Sequence, residues 1–125
     1  MSSRSDLEDV VLAVLREEMP ALPECARDAL ARFEMHPVVV DNQTAGVVMI
    51  DGDEIHIAVL PSGRRTWASR RFIRYHLCAL IEKHGRATTT VRAHHLPGLK
   101  FCARLGFKPV REEGGIVHMI CEATL

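Results

Sequence analysis

The sequence predicts an α+β (α/β) domain, a mixed, largely antiparallel central sheet flanked by helices. Three observations carry that prediction. Apolar residues switch between helical and strand periods in the order α-α-β-β-β-α-β-α-β-β. The three consecutive strand-like runs are separated by short turn signals, which makes an antiparallel meander. A long helical stretch then divides the third run from a fourth, the arrangement of a βαβ crossover and so of one parallel pair. At 125 residues, 47% hydrophobic and 26% charged, the chain is expected to form one domain over 1–125, and disordered or collagen-like classes are excluded.

Each element has its own signal. After Ser5, Leu7, Val10, Val11, Val14 and Leu15 recur at helical spacing, with Asp6, Glu8 and Asp9 in the first turn, where they suit the helix dipole. Ser5 with Glu8 three residues on fits a capping box. Pro20 and Pro23 punctuate, and 23–33 reads as a second helix carrying Cys25, Ala29, Leu30 and Phe33. Strand runs follow at 37–40, ending at Asp41-Asn42, and at 45–50, ending at the hairpin signal Asp51-Gly52-Asp53. The third run, 54–60, alternates, with Glu54, His56 and Ala58 on one face and Ile55, Ile57 and Val59 on the other. A long helix over 66–84 carries Phe72, Ile73, Leu77, Leu80 and Ile81 on one face and stops at Gly85. A strand at 87–91, a helix at 96–105 and a closing hairpin, 107–110 with 116–121 around Gly114-Gly115, complete the order.

Positive and negative charge cancel in total but not locally. Residues 1–61 carry 4 basic and 12 acidic side chains; residues 62–125 carry 12 basic and 4 acidic. The basic half is suited to an anionic ligand or partner. No apolar run approaches the roughly 20 residues of a membrane helix, and the first ten residues lack a signal-peptide core, so a cytoplasmic setting without membrane contact is expected. Cys25, Cys78, Cys102 and Cys121 are far apart, and neither CxxC nor HxxxH occurs, so no metal site is expected. The cysteines read as reduced and mostly core.

The densest chemical signal is Pro61 to Arg74, PSGRRTWASRRFIR. Arg64, Arg65, Arg70, Arg71 and Arg74 crowd a helix start that directly follows a strand. Cations there oppose the helix dipole by a few tenths of a kcal/mol each. Free backbone N–H groups at a helix start favour anions, phosphates above all, so arginines belong there if a phosphate-bearing ligand or an acidic partner surface occupies the place. A solvated basic face is the bland alternative. Nucleic acid is disfavoured as the anion, because one Trp, one Tyr and four Phe make a poor stacking platform and no helix-turn-helix or zinc signature occurs.

From Ala45 to Phe107 the chain resembles the GNAT superfamily of N-acetyltransferases, which move an acetyl group from acetyl-CoA to an amine. The family's phosphate loop, Val-x-Pro then Arg/Gln-x-x-Gly-x-Gly/Ala entering a long helix, falls here on Val59, Pro61, Arg64, Trp67 and Ser69. Further on, the family's Asn, Tyr and Gly-Phe fall on His95, Cys102 and Gly106-Phe107, within a helix end LysPheCysAlaArgLeuGlyPhe at 100–107. The resemblance implies a GNAT-like acyl-CoA N-acyltransferase fold, with acetyl-CoA as co-substrate and a primary amine as acceptor. It implies cofactor contacts from Val59, Arg64, Arg65, Thr66, Trp67, Ala68, Ser69, Arg70 and His95. It also implies a proton acceptor on the strand holding Glu54 and His56, and a leaving-thiolate acid at Cys102. His56 is intrinsically tuned nearer neutral pH than Glu54; that Glu54 and His56 are merely the strand's solvent side, and Cys102 a small core residue, are the competing readings. Three departures stand out: an indole at Trp67 in place of glycine, a thiol at Cys102 in place of a phenol, and His95 in place of Asn. They motivate a second reading, a catalytically degenerate GNAT-fold module binding protein partners or its own copies, in the setting of a virion-associated phage protein.

Overall fold

A computed structural model describes residues 3–61 and 67–122, with the backbone alone over 67–70. Its elements are α1 (Arg4–Glu18), α2 (Ala26–Ala29), β1 (Glu34–Val40), β2 (Gln43–Asp51), β3 (Glu54–Val59), α3 (Trp67–His84), β4 (Arg86–Arg92), α4 (Leu96–Leu105), β5 (Lys108–Glu113) and β6 (Ile116–Glu122). The six strands form one mixed sheet in the order β1-β2-β3-β4-β6-β5. The pair β3/β4 is parallel, while β1/β2, β4/β6 and β5/β6 are antiparallel. The predicted fold class is therefore the observed one. The described residues fall into two units, one of residues up to Asp51 with Ile57–Ile73, the other of Gly52–His56 with Arg74 onward.

In the first unit α1 starts two residues earlier than its composition suggests. Ser3 is the N-cap, and Ser3 and Asp6 each accept the other's backbone N–H at 3.1 Å, which corrects the expected Ser5/Glu8 box. Glu8 is engaged elsewhere: its carboxylate takes Arg4 Nε at 3.0 Å and Arg27 at 3.0 Å. The Arg4 and Arg27 guanidinium groups hold the Glu8 carboxyl below the usual carboxylate range. Arg4 also donates to the carbonyls of Phe33 at 2.6 Å and Leu30 at 2.8 Å, tying the helix start to the chain entering β1. Arg4→Met, which keeps the stem and removes these donors, is expected to cost about 1–2 kcal/mol in urea unfolding. Glu8→Gln is expected to cost less than Arg4→Met in the same measurement, because the ion pairs it weakens face solvent.

The core of this unit joins Leu7, Val11 and Leu12 of α1 with Leu30, Phe33, Val47, Met49 and Ala58. The second helix is a correction: 23–33 forms one α-turn, Ala26–Ala29, within a series of three-residue turns. Cys25 at its start makes no capping bond, and the turns bring Leu30 and Phe33 into the core over a segment too short for a stable helix. β1 and β2 join at Asp41 and Asn42, both at positive φ (52° and 63°), the pair a two-residue I′ hairpin requires. Val38 pairs with Gly46 and Val39 with Thr44, so Ala45 is bulged out of register. β2 is buried continuously from Ala45 to Met49, as an interior strand covered on both faces should be.

In the second unit β4 runs between β3 and β6, buries Ala87 and Thr89, and pairs along its length with β6. The closing hairpin turns on Gly114 and Gly115, both at positive φ, and returns β6 to lie between β4 and the edge strand β5. β5 spans 108–113, longer than the predicted 107–110; Phe107 is buried just ahead of it. α3 buries Ile73, Leu77 and Leu80 in the expected stripe, and Gly85 at φ +80° closes it with an N–H bond to Ile81 O at 2.7 Å. The cysteine expectation needs correcting: only Cys121 is buried, Cys102 is half-buried, and Cys25 and Cys78 are exposed. Cys25 begins a single turn instead of lining a helix, and Cys78 lies off the Ile73–Leu77–Leu80 stripe. Among the described residues no helix is long and apolar enough to cross a membrane, and no three His, Cys, Asp or Glu side chains gather as a metal-binding group.

Candidate functional site

Strand β3 enters beside β4 through Asp53. Its carbonyl accepts the Thr88 N–H at 2.7 Å, and its carboxylate accepts from Arg86 Nε at 3.0 Å. These bonds set the parallel register in which Glu54 lies opposite Thr88. Glu54 and His56, two apart on one strand, project from the same face. His56 Nε2 lies 2.5 Å from Glu54 Oε2, and His56 Nδ1 lies 3.4 Å from the Thr89 hydroxyl on β4. The pair is partly sheltered, with Glu54 and His56 side chains 26% and 21% exposed. Thr89 is itself buried.

A second Glu-x-His pair, Glu34 and His36 on β1, repeats the spacing with Nε2–Oε2 at 2.8 Å. Glu34 is 70% exposed there, so the spacing alone does not mark a site. Shelter and the neighbouring buried hydroxyl distinguish the β3 pair.

The other predicted residues are distributed as follows. Val59 ends β3 and is half-buried. The backbone at Ala58 and Val59 is approached closely by β2: a Cβ on Gly46 would stand 2.6 Å from Ala58 O and 3.2 Å from Val59 Cα. Arg64, Arg65 and Thr66 lie outside the described residues. Trp67, Ala68, Ser69 and Arg70 form the first turn of α3, and their side chains lie outside the description. That first turn contains no acidic residue, and exposed Arg71 and Arg74 follow it.

His95 is the N-cap of α4, but its side chain makes no capping bond. Its ring lies against Gly98, where a Cβ would come within 2.4 Å of His95 Nδ1 and 3.1 Å of Val91 Cγ1. Sequence reasoning named His95 but not Gly98, which makes room for the ring, nor Thr89, whose β-branched run reads as ordinary strand. Cys102 sits in the second half of α4, which ends at Gly106 with φ +106°. Burial pushes the Cys102 thiol up to about 11, and burial, with Cys78 second, raises Cys121. Cys102 therefore carries S–H at neutral pH.

The alkaline consequence has a definite sign. Above the ordinary thiol value of 9.0 the unfolded chain releases the Cys102 proton, whereas the folded chain keeps it to about 11. Stability present below pH 9 is thus lost as pH rises toward 11, by up to about 3 kcal/mol. Cys102→Ala is expected to remove that component, read as a smaller fall in urea midpoint between neutral and alkaline pH than the parent chain shows.

Solved structures share this architecture. An acetyltransferase from Bacillus subtilis in complex with CoA aligns over 99% of this chain and 95% of its own at 13% identity, with a TM-score of 0.73. The ribosomal-protein-S18-alanine N-acetyltransferase from Escherichia coli aligns over 98% and 91% at 17% identity, TM-score 0.70. A GNAT family acetyltransferase from Elizabethkingia anophelis with acetyl-CoA bound aligns over 98% and 92% at 13% identity, TM-score 0.69. No family model and no curated protein matches the sequence. The chain has the fold of the GNAT superfamily.

Proposed function

We propose that this chain is a GNAT-type N-acyltransferase that passes an acetyl group from acetyl-CoA to a primary amine. The observation carrying the proposal is the sheltered Glu54–His56 pair on β3, the strand directly preceding α3 and its arginine-rich start in the sequence. An amine reaches such a site largely as ammonium and is a nucleophile only after losing a proton. On this reading one member of the pair, Glu54 or His56, takes that proton. Acetyl-CoA, when bound, supplies an activated thioester carbonyl for the freed amine.

The chain's remaining residues divide the binding work. Backbone N–H groups over Arg65–Arg70, with Arg64, Arg65 and Arg70 as counter-charges, receive the diphosphate. Val59 receives the pantetheine amides on this reading, and Thr66, Trp67, Ala68, Ser69 and His95 are carried over from the family resemblance as further cofactor contacts. Cys102 donates a hydrogen bond to the departing sulfur; a thiol at about 11 is a weaker acid than an ordinary thiol, so complete proton transfer to a thiolate would run uphill. Isothermal titration with acetyl-CoA tests the proposal. Saturable binding at or below the millimolar range is expected, and absence of heat at millimolar ligand overturns it.

A second reading keeps the fold as an interaction module for protein partners or further copies of itself. It is favoured by β5, an edge strand whose six residues are all exposed. Native mass spectrometry separates the two: the module reading requires an assembly that persists without acetyl-CoA.

A further inference from the structure

We infer that β5 is a self-pairing edge: a second copy of this chain docks antiparallel along it, across a two-fold axis passing between Val110 and Arg111. The dimer goes beyond acetyl transfer and does not rest on it.

β5 ends the strand order of the sheet, and its six residues are all exposed. An outermost strand turns backbone N–H and C=O groups away from its neighbour, and another strand can satisfy them. Apolar surface gathers at the same place. Beside β5 opens a groove of about 570 Å³, lined by Leu99 and Ala103 of α4, Pro109 and Val110 of β5, and Val117 and Met119 of β6. Val110 is 60% exposed, and so is Leu96, three residues before Leu99 on α4. α4 itself has no buried residue.

The charges on β5 identify the cover. Pairing with β6 assigns each side chain a face. Lys108, Arg111 and Glu113 lie opposite Ile120, His118 and Ile116, alternate residues of β6, so these three share one face. Arg111 and Glu113 accordingly meet at 3.8 Å. Pro109 and Glu112 lie opposite Met119 and Val117 and share the groove face. Val110 is bulged between them, and this bulge is what brings Lys108 and Glu113, an odd number of residues apart, to the same face.

Two copies related by a two-fold pair from opposite ends of the strand. With Lys108 opposite Glu113 of the second copy, Pro109 meets Glu112. Like face then meets like face on both sides of the bulge, and opposite charges meet twice by symmetry. Sliding one copy by a single residue sets groove-face residues against the other face. Sliding by two sets Lys108 against Arg111, or crosses the faces again. Pro109 and the bulge guard the edge against indiscriminate pairing, and they leave this register open. Lys108 is exposed, and Arg111 and Glu113 are 64% and 72% exposed, so the charged heads are accessible to a second copy.

Sedimentation equilibrium and native mass spectrometry on the full chain, without acetyl-CoA, provide the test. The parent is expected to be dimeric at about 0.1 mM. Lys108→Glu and Glu113→Lys each create two like-charge contacts, and each is expected to weaken the dimer about tenfold or more. An equimolar mixture of these two variants, one isotopically labelled, is expected to pair at parental strength, because both contacts of the mixed dimer regain opposite charges. Glu112→Lys, whose neighbour in this register is Pro109, should stay within about threefold of the parent. A monomeric parent overturns the inference. So does a dimer that both reversals leave intact, or a mixture that fails to pair. Should a variant not fold, carbodiimide cross-linking of labelled with unlabelled parent decides: a Lys108–Glu113 peptide of mixed isotope is expected, and its absence overturns the inference. A dimer meets the requirement of the module reading without excluding transfer, which titration with acetyl-CoA tests separately, so either can fail alone.

Discussion

Glu54→Gln is expected to lower kcat/KM for acetyl transfer to a primary amine by about 10²- to 10⁴-fold, the range spanned by loss of a general base. The substitution separates chemistry from architecture. Glutamine has nearly the same shape and still offers a carbonyl oxygen to the His56 ring, so the pair's geometry survives while the proposed proton acceptor is lost. Acetyl-CoA affinity should stay within about threefold, because the diphosphate and pantetheine are held by other residues on this reading. Glu34→Gln is the matched control: the same residue type at the same spacing from a histidine, but exposed on β1, and its rates should stay within about twofold of the parent. Steady-state rates with a small amine, across pH, provide the measurement. A Glu54→Gln enzyme retaining parental rates would remove the base from the mechanism.

Gly46→Ala is expected to destabilise the fold by about 3 kcal/mol, at the upper end of overpacking costs. The new Cβ meets backbone, not a movable side-chain end: Ala58 O at 2.6 Å and Val59 Cα at 3.2 Å. β2 is buried on both faces at this point, and Ala45 beside it is already bulged, so neither strand has an open direction in which to yield. Thermal unfolding should fall by on the order of 10 °C for a chain of this size. On the proposed reading acetyl-CoA binding should weaken as well, since Val59 is one of the proposed cofactor contacts. Gly52→Ala is a useful contrast: nothing lies within 4 Å of its added methyl, and its cost comes from the φ of +61° alone.

The element order and sheet class were legible because the apolar periods are clean, and turn residues such as Asp41-Asn42 and Gly114-Gly115 sit where both φ values must be positive. Helix α1 was legible to within two residues. Its cap was not, because Ser3 and Ser5 are equivalent as letters and only the Arg4 bonds to Leu30 and Phe33 distinguish them. The segment 23–33 has helical periodicity but spends it on turns, since Phe33 must enter the core before β1 begins. Return of β6 between β4 and β5 leaves no local trace, because a hairpin reads the same whichever of its strands is the inner one. At the site, Glu54 and His56 could be named from strand alternation, whereas Thr89 and Gly98 could not. A threonine among three and a glycine after a proline gain meaning only when a ring lies against them.

The uneven shelter of the four thiols gives the protein an intrinsic chronometer. A bulky electrophile meets Cys25 and Cys78 in open solvent, whereas Cys121 is reached only when β6 or its cover transiently parts. Staggered alkylation followed by mass spectrometry would therefore resolve at least two phases. The slow one reports opening of the second unit, and its retardation by a bound ligand would register occupancy without any enzymatic assay. The same asymmetry predicts that aged, unreduced preparations cross-link through Cys25 and Cys78 first.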